Sequence, residues 1–324
     1  MDEKIITHDD FDGLICATIC SHVLGIEEVQ FVGPRTVTEA RITITERDVV
    51  CDLPYPLECG MWFDHHEGNL EEVRYRGIDP AAIEGRFEPK DSCARVVFEY
   101  FTEKGPLPAR FAPMVDEADM IDSFNYTSID DWRRETPGKI IDSALKLQRI
   151  TVHQRWDFLR HLISLLKEHP IDVVAARREV RERYVQFQQE EEAMLEQIRR
   201  DITFLSEDTD HRLVILDLTH HKRQPKVLKN LAYLLYPEAE GIIEVKNMFR
   251  HDRKTNDLSF SVSLSLNLKS IEHNKDVGDI MRRLNIGSGH KGAGAGTVRC
   301  SSKNEMLRKK KEILRQIVRT FQSQ

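Results

Sequence analysis

Three clusters in the sequence could do chemistry. His8, Asp10 and Asp12 alternate within HDDFDG. If that segment stays extended, its period of two puts all three side chains on one side, just beyond the edge of a sheet. Three acceptors converging without a cation repel one another, so metal binding is one reason to assemble them. A polar loop in which Asp10 or Asp12 caps the next helix is the other. The second cluster is Asp64, His65 and His66. Adjacent histidines point in different directions, so one can hold a metal while the other faces substrate or solvent. An HH pair alone says little, because His220 and His221 form another to which the sequence attaches no role. Asp52, Asp116, Asp119 and Asp122 supply company for the first pair. A mixture of about five carboxylates and two imidazoles suits Mn²⁺, with Mg²⁺ or Co²⁺ as alternatives, better than a thiolate-rich structural zinc site. Two ions about 3.5–4 Å apart are the arrangement that hydrolyses phosphate esters and anhydrides.

The third cluster is GSGHKGAGAG, Gly287 to Gly296. It contains GxGxxG, but a dinucleotide-binding fingerprint should follow a strand, and this run follows a helical stretch, DVGDIMRRL. Gly287, Gly289 and Gly292 would let backbone N–H groups approach an anion, with His290 and Lys291 adding positive charge. A flexible surface loop is the alternative.

These clusters need elements to position them. Lys4–Thr7, Asp48–Cys51 and Met61–Phe63 read as short strands that end at the polar clusters, and Leu14–Leu24, Ser92–Lys104 and Ala109–Ile121 read as helices. That alternation predicts an α/β domain with a mainly parallel sheet, whose ligands gather at the carboxyl ends of the strands. Residues 171–200 read as one long linking helix. Beyond it, 212–217, 241–248 and 258–268 read as strands, and 227–235, 277–284 and 303–321 as helices, giving a smaller C-terminal α/β domain. The expected division is therefore 1–170, a linker at 171–200, and 201–324.

Charge divides the same way. Residues 1–170 hold 32 acidic and 19 basic side chains, net −13, while residues 171–324 hold 22 and 28, net +6. With 40% hydrophobic and 31% charged residues over 324 positions, the chain can bury cores and is not a disordered polymer. The longest run without a charged side chain, Gly13 to Ile26, is 14 residues, short of the roughly 20 that span a membrane. No secretory signal opens the chain, so a soluble, cytoplasmic protein is expected. The six cysteines form no CxxC pair and are expected as buried thiols.

Taken in order, the motifs resemble the DHH phosphoesterase superfamily: HDDFDG its first, Asp52 its second, Asp64-His65-His66 its third, and GSGHKGAGAG the glycine-rich signature of the DHH-associated C-terminal domain. The resemblance implies that His8, Asp10 and Asp52 hold one metal. Asp12, Asp52, His65 and a fourth-motif aspartate would hold the other, with Asp52 bridging. It also implies that Asp64 orients the imidazoles and that His66 faces the phosphate. ADMIDSFNY matches the fourth motif with Asp122 as ligand and Asp119 as runner-up, while Asp116 decorates the helix. Members taking nucleotides commonly carry an arginine in a Ser-x-Arg context before the glycine run. Here SVSLSLNLKS offers Ser265, Asn267 and Lys269 instead, with Arg250, Arg282 and Arg283 elsewhere.

The expectation is a two-metal phosphoesterase acting on short oligoribonucleotides or small nucleotides, with the second half holding the polyanion. An exopolyphosphatase or pyrophosphatase-type hydrolase is the alternative, and a non-catalytic nucleotide-binding regulator a further one. Long-DNA binding is not expected from a modest +6, and nothing in the sequence marks an oligomer interface.

Overall fold

The computed structural model describes residues 3–223, 225–250, 253–270 and 272–324, without the side chains of Lys269 and Ser270. The chain forms two units, Met1–Asn125 with Glu135–Gln188, and Tyr126–Arg134 with Gln189–Gln324.

In the first unit the strands are β1 (Lys4–Thr7), β2 (Glu28–Phe31), β3 (Val49–Cys51), β4 (Met61–Asp64) and β5 (Gly85–Phe87). They form one parallel sheet in the order β2-β1-β3-β4-β5. Alternate residues serve opposite faces, as the pleat demands. Ile5, Val49, Cys51 and Phe63 join the larger core, and Ile6, Val50 and Trp62 join a smaller one. The first helices are α1 (Phe11–Leu24), α2 (Pro34–Thr38), α3 (Glu67–Tyr75), α4 (Cys93–Lys104) and α5 (Phe111–Asp122). After α6 (Ile129–Arg133), which belongs to the second unit, come α7 (Pro137–Leu145), α8 (Val152–Glu168) and α9 (Ile171–Ala175). Helix α1 is buried from Phe11 to Ser21, because α4, α5, α7 and α8 wrap the side that the sheet leaves open.

The expected single helix over 171–200 is two: α9, then α10 (Arg178–Asp201). Val174 and Val180 are both fully buried. In one straight helix six residues turn the face by about 240°, so both could not meet the same core. The break at Ala176 and Arg177 resolves this.

The second unit carries β6 (Ile202–Thr203), β7 (Leu213–Asp217), α11 (Ala232–Leu235), β8 (Gly241–Arg250), β9 (Arg253–Leu264), α12 (Val277–Arg283), β10 (Gly287–Gly289), β11 (Ala293–Val298) and α13 (Lys303–Ser323). Its sheet order is β10-β11-β9-β8-β7-β6, with β7 and β8 parallel and the other pairs antiparallel. Phe260 and Val262 of β9 pack with Ile317 and Phe321 of α13, while Ser261 between them accepts from Lys229 Nζ at 2.5 Å on the opposite face. The strand ends at Leu264, where Ser265 N–H turns to Glu240 O, so the stretch expected to run to Leu268 finishes as a 3₁₀ turn. The helix expected over 227–235 shrinks to a 3₁₀ turn, Lys229–Leu231, and α11, one turn that buries Ala232 and Tyr233. The glycine run is neither a loop nor a helix start but the β10–β11 hairpin. Asn267 is described and donates to Pro237 O at 2.9 Å; the Lys269 side chain lies outside the described residues.

Candidate metal centre

Strand order β2-β1-β3 reverses direction of chain progress at β1, and ligands of open α/β sheets gather beyond the carboxyl ends of strands at such a switch point. His8, Asp10 and Asp12 follow β1, Asp52 follows β3, and Asp64, His65 and His66 end β4 or follow it. The first cluster is not an extended run. Helix α1 begins at Phe11, so Asp10 is its N-cap, accepting from Gly13 N at 3.0 Å, and Asp12 lies in its first turn. A Cβ on Gly13 would stand 2.2 Å from His8 O, so only glycine lets the loop close this tightly over the helix.

Capping by Asp10 does not exclude a metal-binding role for the cluster. Asp10 caps α1 through Oδ1 and faces His8 Nδ1 through Oδ2. Asp12 is buried, with both oxygens accepting 2.8 Å bonds from Cys93 N and Ala94 N at the start of α4. Those donors and the positive end of α4 hold an anion in place. Burial, then the charges of Asp122 and Asp10, nevertheless push the Asp12 carboxyl well above its usual range. Burial and Asp12, Asp10, Asp122 and Asp64 do the same to Asp52. Asp52 has φ 55°, a left-handed backbone conformation, and donates N–H to Phe63 O at 3.0 Å. For His8 the bond to Asp10 raises the pKa; for Asp10 burial is the largest influence and opposes ionisation, but the His8 bond and charge, the Gly13 N–H and the Lys146 charge together leave its carboxyl below the usual value.

His65 carries the most informative geometry. Its Nδ1 lies 3.0 Å from Lys90 O, which can only accept, so Nδ1 carries a proton and Nε2 is the ring atom turned toward the carboxylates. Among the described residues Nε2 is buried without a hydrogen-bond partner. It stands 3.3 Å from Asp122 Oδ2, 3.7 Å from Asp52 Oδ1 and 3.9 Å from Asp12 Oδ2. Carboxylates gathered around one imidazole nitrogen repel one another, and a cation among them would relieve that repulsion. These donors therefore fit a divalent ion, and ligand atoms of Asp12, His65 and Asp122 lie within 4.8 Å of one another. His8, Asp10 and Asp52 form a second such group, and Asp52, His65 and His66 a third.

Asp64 is fully buried beside these groups. Its Oδ1 accepts from His65 N at 2.9 Å and from His66 Nδ1 at 2.9 Å, while Oδ2 accepts from Asn69 Nδ2 at 2.6 Å. It holds the loop and fixes His66, whose side chain is 53% exposed and whose pKa the Asp64 bond raises. Asp119 is directed elsewhere. It accepts from Ser92 Oγ at 2.6 Å and from Arg95 Nε at 2.8 Å, and Arg95 also reaches Asp116. The three aspartates of α5 thus divide, with Asp122 beside His65 and the other two neutralised by Arg95.

Sequence reasoning missed Arg95, Asn69, the Lys90 carbonyl and the α4 N-terminus. Only the Ser92 N-cap ahead of CARVVF could have signalled the last. Cys16, Cys51 and Cys93 are buried free thiols beneath the site, as expected, and Cys59 is only partly covered.

In the second unit, a Cβ on Gly289 would lie 2.3 Å from Ala293 O, and one on Gly287 2.0 Å from Ala295 O. Packing of the hairpin therefore accounts for these glycines. At its tip Gly292 N–H donates to His290 Nδ1 at 3.1 Å, and the backbone carbonyls of His290 and Lys291 accept from Gly278 N and Val277 N of α12. Among the described residues no helix is long and apolar enough to cross a membrane.

No family model matches the chain, and no curated protein matches it. Solved structures do. A pGpG-specific phosphodiesterase, PggH from Vibrio cholerae, is 25% identical, with a TM-score of 0.69 over 98% of this chain and 99% of that one. RecJ from Thermus thermophilus in complex with Mn²⁺ is 14% identical, with a TM-score of 0.55 over 98% of this chain and 52% of its own. An exopolyphosphatase-related protein from Bacteroides fragilis is 11% identical, with a TM-score of 0.50 over 99% and 94%. Fold, motif order and the meeting of those motifs at one sheet edge all support the likeness of this chain to the DHH phosphoesterase superfamily.

Proposed function

We propose that the protein is a Mn²⁺-dependent phosphodiesterase of short oligoribonucleotides or small nucleotides, with metal binding in the first unit and substrate holding in the second. The observation that carries this is the buried His65 Nε2 facing Asp12, Asp52 and Asp122. His8, Asp10 and Asp52 would hold one ion, and Asp12, Asp52, His65 and Asp122 the other. Two such ions supply positive charge to the phosphoryl oxygens and an activated water at neutral pH.

The chain's own groups do the rest. Asp64 keeps His66 turned so that Nε2 points away from its anchor, where it can donate to a phosphoryl oxygen. The bond from Asp64 raises the His66 pKa, which favours the protonated, donating form. In the second unit the Gly287–Gly289 strand with Gly292, His290 and Lys291 is the stretch suited to binding an anion of the phosphate class. End-to-end similarity to a pGpG phosphodiesterase favours a linear dinucleotide among small substrates.

Phosphoanhydride hydrolysis is the second reading. It is favoured by β9, which has no arginine from Leu258 to Leu264 and sets Ser261 against a lysine, Lys229. One panel separates the readings: pGpG, longer oligoribonucleotides, phosphoadenosine phosphate, pyrophosphate and polyphosphate, each with Mn²⁺, beside Asp12→Ala. Release of nucleoside monophosphate from pGpG is expected, abolished in the variant. No turnover of any member sinks the enzymatic reading in favour of a nucleotide-binding regulator.

A further inference from the structure

The second unit contains another histidine pair that the phosphoesterase site does not use. Asp201 is the last residue of α10, and His220 and His221 lie in the loop after β7. The Asp201 side chain is only 2% exposed, and among the described residues the groups within ion-pair distance of it are these two imidazoles. His220 Nε2 stands 3.1 Å from Asp201 Oδ1, and His221 Nε2 stands 2.6 Å from Oδ2. Both rings therefore aim the same nitrogen at one carboxylate. The carboxylate is satisfied by these imidazoles and no lysine or arginine stands within ion-pair distance of it among the described residues, so a cation could take the same three ligand atoms without competing with a fixed charge.

The surroundings sharpen this. Gln197 Nε2 lies 2.6 Å from Asp201 Oδ2 and 3.2 Å from His221 Nε2, and Arg200 donates to Gln197 Oε1, which fixes the amide orientation. The amide thus donates to Asp201 Oδ2, and His221 Nε2 lies within hydrogen-bond distance of the same oxygen, so a bound ion would take the place of the imidazole proton there. The loop that presents the histidines is held from several sides. Leu218 N–H donates to Val245 O, Lys310 Nζ lies 2.6 Å from Asp217 Oδ2 and 2.8 Å from Thr219 Oγ1, and Lys254 Nζ reaches the carbonyls of Thr219 and His221. A loop so pinned keeps its donors in place before any ion arrives.

We propose that Asp201, His220 and His221 form a binding site for one borderline divalent cation of the Zn²⁺ class, separate from the carboxylate-rich centre. Two imidazoles and one carboxylate suit Zn²⁺, and its bonds of about 2.0–2.1 Å give ligand-to-ligand edges of roughly 3.3 Å. The observed 3.1 and 2.6 Å separations need to open by less than an ångström. His220, 60% exposed, leaves the outer side of the ion to water. Bound there, the ion would tie the end of α10 to the β7 loop.

The test uses the full chain, stripped with chelator and reloaded with Zn²⁺, and counts retained ions after gel filtration. The His220→Ala/His221→Ala variant is expected to retain one ion fewer than the wild type, and Asp12→Ala to keep this ion. Co²⁺ loaded in the same way should give a tetrahedral visible band that the double variant lacks. Equal ion counts with an unchanged Co²⁺ spectrum overturn the site. Should the double variant misfold, His220→Ala decides, since that side chain is exposed: at least tenfold weaker retention against a competing chelator is expected, and equal retention overturns the proposal.

Discussion

At the scale of single residues, the centre depends on which atoms are already engaged. Lys90 O occupies Nδ1 of His65, so Nε2 is the nitrogen open to a metal. Arg95 occupies Asp119, which leaves Asp122 as the α5 aspartate beside His65. The first prediction follows from that contrast: Asp122→Asn should lower Mn²⁺-dependent turnover by about 100-fold or more, while Asp119→Asn stays within about threefold. Comparable losses in both would reassign the ligand. Asp64→Asn keeps one oxygen but weakens the grip on His65 N, His66 Nδ1 and Asn69, and a fall of about 10–100-fold is expected, read as kcat against Mn²⁺ concentration. The ligand-type residues were legible because aspartate and histidine following strands stand out in sequence. Their fixing partners were not, because a backbone carbonyl 25 positions from His65 has no sequence signature.

Elements show a similar division. β1, β3 and β4 were legible as β-branched or aromatic runs stopping at polar residues, and all three deliver their clusters to the same edge. The break between α9 and α10 was not, since Ala176 and Arg177 are good helix formers and only the demands of the core impose it. The glycine run misled because low strand propensity hides a hairpin that pairs, residue for residue, with β9. Gly13→Ala is expected to lose metal binding together with stability, because its Cβ meets the His8 carbonyl. Calorimetry of the chelated protein measures the stability part directly. Another element-scale prediction concerns pH. Burial lowers the Lys229 ammonium to about 8, below its ordinary value of 10.5. Between those values the unfolded chain binds more protons than the folded one, so stability should rise with pH across that window. A rise of roughly 1–3 kcal/mol in urea unfolding is expected, and Lys229→Met should flatten it.

For the whole molecule, charge is the governing quantity. Residues 1–170 carry −13, and two divalent ions would offset four of those charges. Mn²⁺ at about 100 times its dissociation constant should stabilise the first unit by about 2.7 kcal/mol, a shift of roughly 5–10 °C in its melting transition. Asp12→Ala should lose most of that shift in scanning calorimetry. Substrate affinity should fall at least tenfold in chelator, and unchanged affinity would mean that the anion is held without the metals. The left-handed backbone at Asp52 reaches beyond biochemistry into descent. Asparagine, aspartate and glycine tolerate that conformation, whereas β-branched residues do not. A lineage that abandons catalysis while keeping the fold is thus steered toward Asn or Gly at this position, and that letter would date the loss of its metals.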